Sequence, residues 1–335
     1  MSFESQLHDL YNAFHGSGIE CKFNQPMADY TSFRIGGQAA LCVWPASRAQ
    51  LIQVLTFWRD LGGKCPICVL GKASNVLFPD QGYHGLVVMT TRAKRVVFEE
   101  DEAADKEEFR RTHTFCQVYA ECGAALSGLA WACQDESRSL SGLEFAYGIP
   151  GTVGGATVMN AGAFGSEMER VLVSSEYYDL SNGRIVRLTD QEMELSYRHS
   201  VYLEHPEWIV LSSVLTLSYG YAPDIHDTTV ANKIIRNDKQ PIEYPSAGSV
   251  FKRPVIDFAG RMVENVGMKG VSVGGAQVSE KHAGFIINTG GATAADVIAL
   301  VRLVRDEVER VYHYRLECEI QLISDGLDPT QETEW

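Results

Sequence analysis

The sequence predicts an α+β protein that folds into more than one domain. Predicted strands and helices alternate along the chain, but they lack the regular strand–helix–strand rhythm of a doubly wound sheet. The chain has 335 residues, a length at which a single hydrophobic core usually divides. Hydrophobic residues make up 45% and charged residues 21%, which is typical of globular rather than disordered or fibrous proteins. We therefore expect two or three packed domains.

The spacing of the hydrophobic residues predicts the elements of the first half in order. Residues 2–15 have the helical period, and a turn-rich stretch through Asn24, Pro26 and Asp29 follows. The next predicted helices span residues 51–61 and 124–133, and the predicted strands span 40–43, 67–70, 86–89, 96–98 and 114–119. Between the last two strands, the charge run from Glu99 to Arg111 predicts a solvated excursion.

The second half continues with a strand-rich stretch from Leu172 to Leu217. A change of composition at 218–223, where Gly and Pro interrupt the pattern, predicts a domain boundary. The elements expected beyond it are a helix to about Asp238, a loop at 246–254, a helix at about 257–266, a strand at 285–288, a helix at 294–313 and a last strand at 316–323. The predicted division is an N-terminal helix (1–20), a first domain (21–222, with subdomains at about 21–90 and 91–222), a C-terminal domain (223–325) and a tail (326–335).

The net charge of −14 argues against a general nucleic-acid-binding protein, which would carry a basic surface. The N-terminus lacks the features of a signal peptide, and no stretch reaches the ~18 apolar residues of a membrane helix. Eight scattered cysteines suit free thiols in a reducing compartment, so we expect a cytoplasmic protein without membrane contact. Cys65 and Cys68 have redox spacing, but their apolar surroundings favour buried structural cysteines, and we expect no metal site.

A glycine-rich segment from Gly148 to Gly165 is the strongest functional signal in the sequence. Its small residues surround Pro150 and Asn160, so the main chain can approach a ligand closely and present N–H groups to it. The spacing matches neither the Rossmann nor the P-loop pattern. A tight turn between two elements would explain one or two glycines. The number of glycines in this segment instead favours contact with a ligand.

Two shorter segments indicate the same chemistry. Arg34 stands beside the paired Gly36 and Gly37, and the stretch from Gly71 to Leu77 follows a predicted strand. Loops at the carboxyl ends of strands commonly bind phosphates. Each segment alone could be an ordinary turn, but three small-residue loops together favour an extended dinucleotide over a single phosphate.

Five blocks spread between about Asn24 and Ile323 resemble those of the UDP-N-acetylenolpyruvoylglucosamine reductase family. The blocks are Thr31–Gly37, Gly148–Gly155, Ser196–Arg198, Ala247–Phe251 and Leu316–Ile320. The resemblance implies the two-part FAD-binding fold shared with vanillyl-alcohol oxidase and p-cresol methylhydroxylase, followed by an α+β substrate-binding domain. No histidine stands where relatives attach flavin covalently, so non-covalent FAD is implied. The implied cofactor contacts are Arg34, Gly36, Gly37, Gly71, Lys72, Ser74, Asn75, Gly148, Pro150, Gly151, Thr152, Gly154, Gly155, Asn160, Ala161 and Gly162.

The family's reaction implies roles for three distant residues. NADPH reduces the flavin, which passes hydride to C3 of UDP-N-acetylglucosamine enolpyruvate and yields UDP-N-acetylmuramate for peptidoglycan precursor synthesis. The resemblance makes Ser249 the proton donor to C2, and it makes Arg198 and Glu319 the groups that stabilise the enolate-like intermediate. Strand alternation alone cannot choose between Glu319 and Glu317, because both fall on one face.

Contacts with the substrate are implied at Tyr197 and at Lys239, the latter with the diphosphate. If the resemblance is set aside, Lys239 is equally well explained as a lysine at the end of a helix that interacts with the helix dipole. Only eleven residues separate Arg198 from Val210, so the sequence resembles the shorter form of the family, which lacks a tyrosine-bearing insertion.

Two other functions fit parts of the sequence. One is an FAD oxidoreductase of the same fold that acts on an alcohol or hydroxy acid, and the other is a non-catalytic nucleotide-sugar-binding protein. Neither explains Arg198, Ser249 and Glu319 together. The reductase is therefore the favoured interpretation, with a nucleotide sugar as its partner and the chain acting as a monomer.

Overall fold

The structure is a computed structural model that describes residues 3–325, so the predicted tail lies outside the described residues. The α-helices are α1 (Phe3–Gly16), α2 (Arg48–Asp60), α3 (Glu99–Glu102), α4 (Lys106–Thr112), α5 (Leu126–Cys133), α6 (Val153–Val158), α7 (Ala222–Lys239), α8 (Ala259–Asn265) and α9 (Ala294–Tyr312). The strands are β1 (Glu20–Pro26), β2 (Gln38–Trp44), β3 (Ile67–Leu70), β4 (Val76–Leu77), β5 (Tyr83–Met89), β6 (Val96–Phe98), β7 (Phe115–Glu121), β8 (Leu140–Ser141), β9 (Gly162–Ala163), β10 (Ser166–Glu167), β11 (Leu172–Asp179), β12 (Ile185–Thr189), β13 (Trp208–Tyr219), β14 (Ser246–Ser249), β15 (Ser272–Val273), β16 (Ala276–Val278), β17 (Phe285–Asn288) and β18 (Gln321–Leu322). Three larger sheets and several helices confirm the α+β prediction.

The first sheet has the strand order β1-β2-β5-β3, with β2 and β3 parallel to β5. Side chains of β2 alternate between two cores, as the period of a strand requires. Leu41 and Val43 pack into the core that α1 and α2 cover. Cys42 and Trp44 face a smaller cluster on the other side of the sheet. Ala39 joins that cluster as well, because the strand register is irregular between Ala39 and Leu41.

The second sheet is antiparallel, with the order β12-β11-β13-β7-β6, and β8 pairs with the far end of β13. The twelve residues of β13 make it the longest strand in the described chain and the centre of this sheet. Its buried residues share one continuous core with α1, α2 and α5. The first two sheets are therefore packed against each other through common hydrophobic contacts.

The third sheet has the order β14-β17-β16-β15 and is covered by α8 and α9. Its core also contains Phe33, Ile35 and Leu77, which come from the first part of the chain. Asp80 strengthens this contact, because its carboxylate accepts hydrogen bonds from the N–H groups of Ala294 and Ala295 at the start of α9. The division predicted at residue 222 stays a prediction, since side chains from both sides build this core.

Three of the differences from the sequence prediction concern strands. The stretch expected to be turn-rich contains β1, which pairs with β2 and packs its half-buried Cys21 and Phe23 against the first core. The expected loop at 246–254 begins with β14, a strand of small residues that pairs with β17. The expected last strand at 316–323 is shortened to β18.

The shortened last strand has a physical cause in its changing partners. The Lys252 N–H donates to the Glu317 carbonyl, and the Glu319 N–H donates to the Val250 carbonyl. The Gln321 N–H then donates to the Asn75 carbonyl, where β18 pairs in parallel with β4. One extended segment thus joins the third sheet to the first part of the chain.

The charge run at residues 99–111 was expected to be solvated. That prediction is wrong for the carboxylate of Glu100. Glu100 is completely buried between α3 and α4, where it pairs with Arg110 and Arg138 and accepts from the Tyr219 hydroxyl. Burial alone would raise the pKa of Glu100, but hydrogen bonds from Arg110 and Tyr219 outweigh it and hold the pKa below its ordinary value. The dense charges of residues 99–111 gave no sign in the sequence that Glu100 belongs to a buried network.

No helix in residues 3–325 is both long and apolar enough to span a membrane. The eight cysteines are all free thiols. Burial raises the pKa of Cys68 and Cys122 to about 12, so these thiols stay protonated at neutral pH. Within the described chain, no group of three or more His, Cys, Asp or Glu side chains could hold a metal ion.

Glu100→Gln should lower the free energy of unfolding by about 3 kcal/mol at pH 7, because it leaves two arginines without their buried partner. Since the folded-state pKa of Glu100 is lowered, its stabilisation is complete above the unfolded-state pKa and is lost as the pH falls through the folded-state value. Denaturant unfolding at pH 7 and pH 3 measures both effects. Glu102→Gln, exposed in the same helix, is the control and should change stability by less than about 0.5 kcal/mol. Equal effects of the two variants would contradict a role for the network.

Candidate active site

A cleft of about 1590 Å³ lies where the three sheets meet. Its walls are the connection from β3 to β4, the glycine-rich segment, β14 and the extended segment at 317–323. The predicted residues that line it are Arg34, Gly71, Lys72, Ser74, Asn75, Gly148, Pro150, Gly151, Thr152, Gly154, Gly155, Ala161, Gly162, Arg198, Ser249 and Glu319. The fold thus brings residues that are distant in sequence to one cavity.

Five predicted residues do not line the cleft: Gly36, Gly37, Asn160, Tyr197 and Lys239. Gly37 packs so closely on Asp80 and Gly82 that a Cβ would overlap their main chain. The exposed Tyr197 accepts a hydrogen bond from the Arg253 N–H, and Lys239 is exposed in the last turn of α7. Their predicted contacts with ligands stay predictions.

Close approach of main chains shapes the cofactor side of the cleft. A Cβ on Gly71 would overlap the Thr152 hydroxyl, so no larger residue fits there without a shift. A Cβ on Gly154 would lie 2.7 Å from the Cβ of Cys122. Thr152 caps α6 by accepting from the Gly155 N–H, which fixes the turn between these glycines. Both glycines therefore allow tight packing between the segments that line this side of the cleft.

Asn160 organises the loop without facing the cleft. It is completely buried, and its φ of 42° lies in the left-handed region that Asn tolerates better than most residues. Its amide donates to Glu167 at 3.0 Å and to the Ser196 carbonyl at 2.8 Å, and its Oδ1 accepts from the Glu169 N–H at 2.8 Å. Asn160 therefore ties the glycine-rich segment to the turn that carries Arg198.

Arg198, Ser249 and Glu319 all line the cleft. The Arg198 Nε donates to Glu319 Oε1 at 2.6 Å, and its Nη2 donates to the Gly162 carbonyl at 3.0 Å. The Glu319 N–H donates at 2.7 Å to the carbonyl of Val250, the residue after Ser249. The side chains of Arg198 and Glu319 are only 17% and 14% exposed. The fold thus brings Arg198 and Glu319 into contact although 121 positions separate them, and it places Ser249 in the same cleft.

The two glutamates Glu317 and Glu319 differ in how deeply they are buried. The sequence pattern could not distinguish them. Glu317 is 69% exposed and pairs only with Lys252 at 3.5 Å. Burial raises the pKa of Glu319, although Arg198 and Lys252 oppose the shift. Burial therefore favours the protonated form of Glu319 more than solvent would.

Arg236 is a cleft residue that the sequence reasoning missed. It projects from α7, is buried, and contacts Gln240 and the Phe145 carbonyl only at 3.4 and 3.5 Å. Its neighbours along the helix are mostly exposed and polar, so the helix carries no strong period. Only the position of α7 against the glycine-rich segment reveals that this side chain faces inward.

Comparison with known proteins gives a consistent set of relatives. Residues 240–323 match the model for the C-terminal domain of UDP-N-acetylenolpyruvoylglucosamine reductase, and residues 39–189 match an FAD binding domain. The chain is 41% identical to that reductase from Caldanaerobacter subterraneus, covering 90% of this chain and 93% of the relative. It is 42% identical to the one from Caldicellulosiruptor bescii, covering 98% and 96%. The crystal structure of the reductase from Thermus caldophilus is similar with a TM-score of 0.70 and 30% identity, covering 91% and 99%.

Asn160→Asp should destabilise the fold by about 2–3 kcal/mol, because it removes two buried donors and places a second carboxylate beside Glu167. Denaturant unfolding measures the loss, and hydrogen exchange should become faster in residues 196–200. The control is Asn265→Asp, since Asn265 is exposed and makes one surface hydrogen bond to Tyr312. Unchanged exchange at 196–200 in the Asn160 variant would show that this side chain does not hold the Arg198 turn.

Proposed function

The chain belongs to the UDP-N-acetylenolpyruvoylglucosamine reductase family, and from that premise we propose that it reduces UDP-N-acetylglucosamine enolpyruvate to UDP-N-acetylmuramate with NADPH and FAD. The observation that carries the proposal is that Arg198, Ser249 and Glu319 line one cleft with the glycine-rich segment, where Arg198 contacts Glu319. A general flavin oxidoreductase has no need of this trio. A nucleotide-sugar-binding protein needs neither the trio nor a flavin-binding site.

The cleft fits a flavin dinucleotide on structural grounds. Gly71 and Gly154 both line the cleft, and neither position has room for a side chain, because Thr152 and Cys122 lie too close. We propose that Arg34, Gly71, Lys72, Ser74, Asn75, Gly148, Pro150, Gly151, Thr152, Gly154, Gly155, Ala161 and Gly162 hold FAD. In residues 3–325 no histidine lines the cleft, in keeping with non-covalent binding. When bound, FAD would carry hydride from NADPH to C3 of the enolpyruvyl double bond.

Ser249 would supply the proton that completes the reduction at C2. Its hydroxyl has no hydrogen-bond partner among the described residues, so it is free to turn toward a substrate. A serine hydroxyl is a weak acid and can give up its proton only if nearby positive charge stabilises the alkoxide. Arg198 and Lys252 line the same cleft and provide that charge. A proton from solvent would restore the hydroxyl after product leaves.

Arg198 and Glu319 would stabilise the charge that develops on the substrate carboxylate and C2. Arg198 uses Nε and Nη2 within the protein, which leaves Nη1 without a protein partner in residues 3–325. A guanidinium held in this way is preorganised toward a developing oxyanion. Protonated Glu319 would donate a hydrogen bond to the same group, and its burial favours that form.

The proposed activity is tested by following NADPH oxidation with and without UDP-N-acetylglucosamine enolpyruvate. We expect the purified protein to bind FAD and to oxidise NADPH continuously only when the enolpyruvyl substrate is present. The product should be UDP-N-acetylmuramate by mass spectrometry. NADPH oxidation at the same rate with and without the substrate would contradict the assignment.

Ser249→Ala should slow substrate-dependent reoxidation of the reduced flavin by about 100- to 10,000-fold, because the proton donor is lost. Reduction of the flavin by NADPH should stay nearly unchanged, and stopped-flow absorbance separates the two half-reactions. Ser246→Ala is the matched control, since Ser246 lies on the same strand and also lines the cleft. Equal slowing of both half-reactions in the Ser249 variant would assign that residue to folding or flavin binding instead.

A further inference from the structure

We propose that Arg236 forms an anion-binding site for the pyrophosphate group of a bound nucleotide, at the contact between α7 and the glycine-rich segment. The inference rests on the proposed function only for its two sources of pyrophosphate, the flavin dinucleotide and the nucleotide sugar. The chemistry is the same in both, namely two linked phosphates that face a guanidinium.

The first observation is that Arg236 is a buried cation without a counter-charge. The residue is 8% exposed, and its Nε is buried with no hydrogen-bond partner. No carboxylate in residues 3–325 forms an ion pair with it. The contrast with Arg110 and Arg138 is direct, because both of those arginines pair with the buried Glu100.

An unpaired guanidinium is costly to bury, so it needs a compensating charge. The surroundings of Arg236 disfavour its charged form, and burial lowers the pKa of the guanidinium. Its two contacts at 3.4 and 3.5 Å are to neutral oxygens, which compensate poorly. Because the side chain lines the cleft, a ligand in the cleft can provide the missing anion.

The second observation is the way the glycine-rich segment accommodates this side chain. Gly148 has a φ of 84°, and a Cβ there would lie 3.0 Å from the Arg236 Cδ and 3.1 Å from Nε. The guanidinium also lies over the Phe164 ring, 5.2 Å from its centre. Arg236 therefore contacts both ends of the glycine-rich segment. A planar guanidinium with several donors suits the paired oxygens of a phosphate better than a lysine does.

Arg236 contacts a different set of residues from those around the pair of Arg198 and Glu319. Arg198 contacts Glu319 and Gly162, whereas Arg236 contacts Phe145, Gly148 and Phe164. Both arginines line one cleft, so one ligand can place a carboxylate at the first and a phosphate at the second. Lys239, three residues beyond Arg236 on the same helix, is exposed and does not line the cleft.

The test uses Arg236→Met, which removes the charge at similar volume, and Arg236→Lys, which keeps the charge without the planar fork. UDP and uridine are titrated separately into the purified flavin-bearing protein by calorimetry, and flavin release on dilution is followed by fluorescence. We expect Arg236→Met to weaken either UDP binding or flavin retention by about 10- to 100-fold while uridine binding is unchanged. A loss confined to UDP identifies the nucleotide sugar as the source, and a loss confined to flavin retention identifies the dinucleotide. Arg236→Lys should fall between wild type and Arg236→Met.

Lys233→Met is the matched control, because Lys233 is exposed on the same helix and contacts only the Tyr147 ring at 5.6 Å. It should leave all three measurements within about twofold of wild type, a range expected for an exposed charge. Unchanged UDP binding and unchanged flavin retention in Arg236→Met would overturn the proposal. So would a loss of the same size in Lys233→Met, since that would reflect general charge rather than a site.

Thermal unfolding of the protein stripped of ligand gives an independent measurement. Arg236→Met should be at least as stable as wild type, because it removes a charge that nothing in the described chain compensates. A large drop in Tm together with unchanged UDP binding and flavin retention would assign Arg236 to packing and contradict the proposal. Because these measurements report binding and stability, a protein that binds UDP through Arg236 without reducing the enolpyruvyl substrate would contradict the proposed function and leave this inference standing.

Discussion

The hydrogen bond from Arg198 to Glu319 crosses the cleft, and both ends depend on parts of the fold that contribute no reacting group. Arg198 sits in a turn that Asn160 holds by its amide, and its guanidinium also rests on the Gly162 carbonyl. Glu319 is held through its main chain by Val250 and by the Asn75 amide, which donates to its carbonyl at 3.1 Å. Two loops of the cofactor side therefore determine the geometry of this pair.

Buried charge is handled in three different ways in this molecule. Glu100 is fully compensated by two arginines and a tyrosine, as a structural network requires. The pair of Arg198 and Glu319 is compensated internally but remains open to the cleft, so a substrate can compete for it. Arg236 has no acidic partner within the described chain and faces the cleft as well. The fully compensated group, Glu100, is the one that does not line the cleft.

Sequence patterns predicted the elements whose stability comes from one apolar face. The helices α1, α2 and α9 bury regularly spaced leucines, valines or phenylalanines, and their periods were visible. Strands β1 and β14 were not predicted, because β1 has only two apolar residues on its inner face, Cys21 and Phe23, and β14 consists of small residues. Glu100 was misjudged for a related reason, since local charge density does not reveal the burial that distant Arg138 and Tyr219 produce.

The candidate site was predictable only through the resemblance to a family. Motif spacing placed Ser249, Arg198 and Glu319, yet alternation could not separate Glu319 from Glu317, and only burial distinguishes them in the structure. Arg236 carried no local signal, because its environment is made by a segment some ninety positions earlier in the chain. Residues whose role depends on a distant partner are those that a single sequence leaves undetermined.

The segment at 316–323 has a consequence for how the protein is made. It is made after the other strands of the described chain, and it pairs with β4 at a sequence separation of 245 residues. Contacts between residues so far apart in sequence form late in folding, because the entropy cost of closing a long loop comes before the contacts stabilise the chain. A growing chain can pack its first two sheets while it still lacks Glu319. The cleft therefore stays incomplete, and without this carboxylate, until the segment at 316–323 has been synthesised.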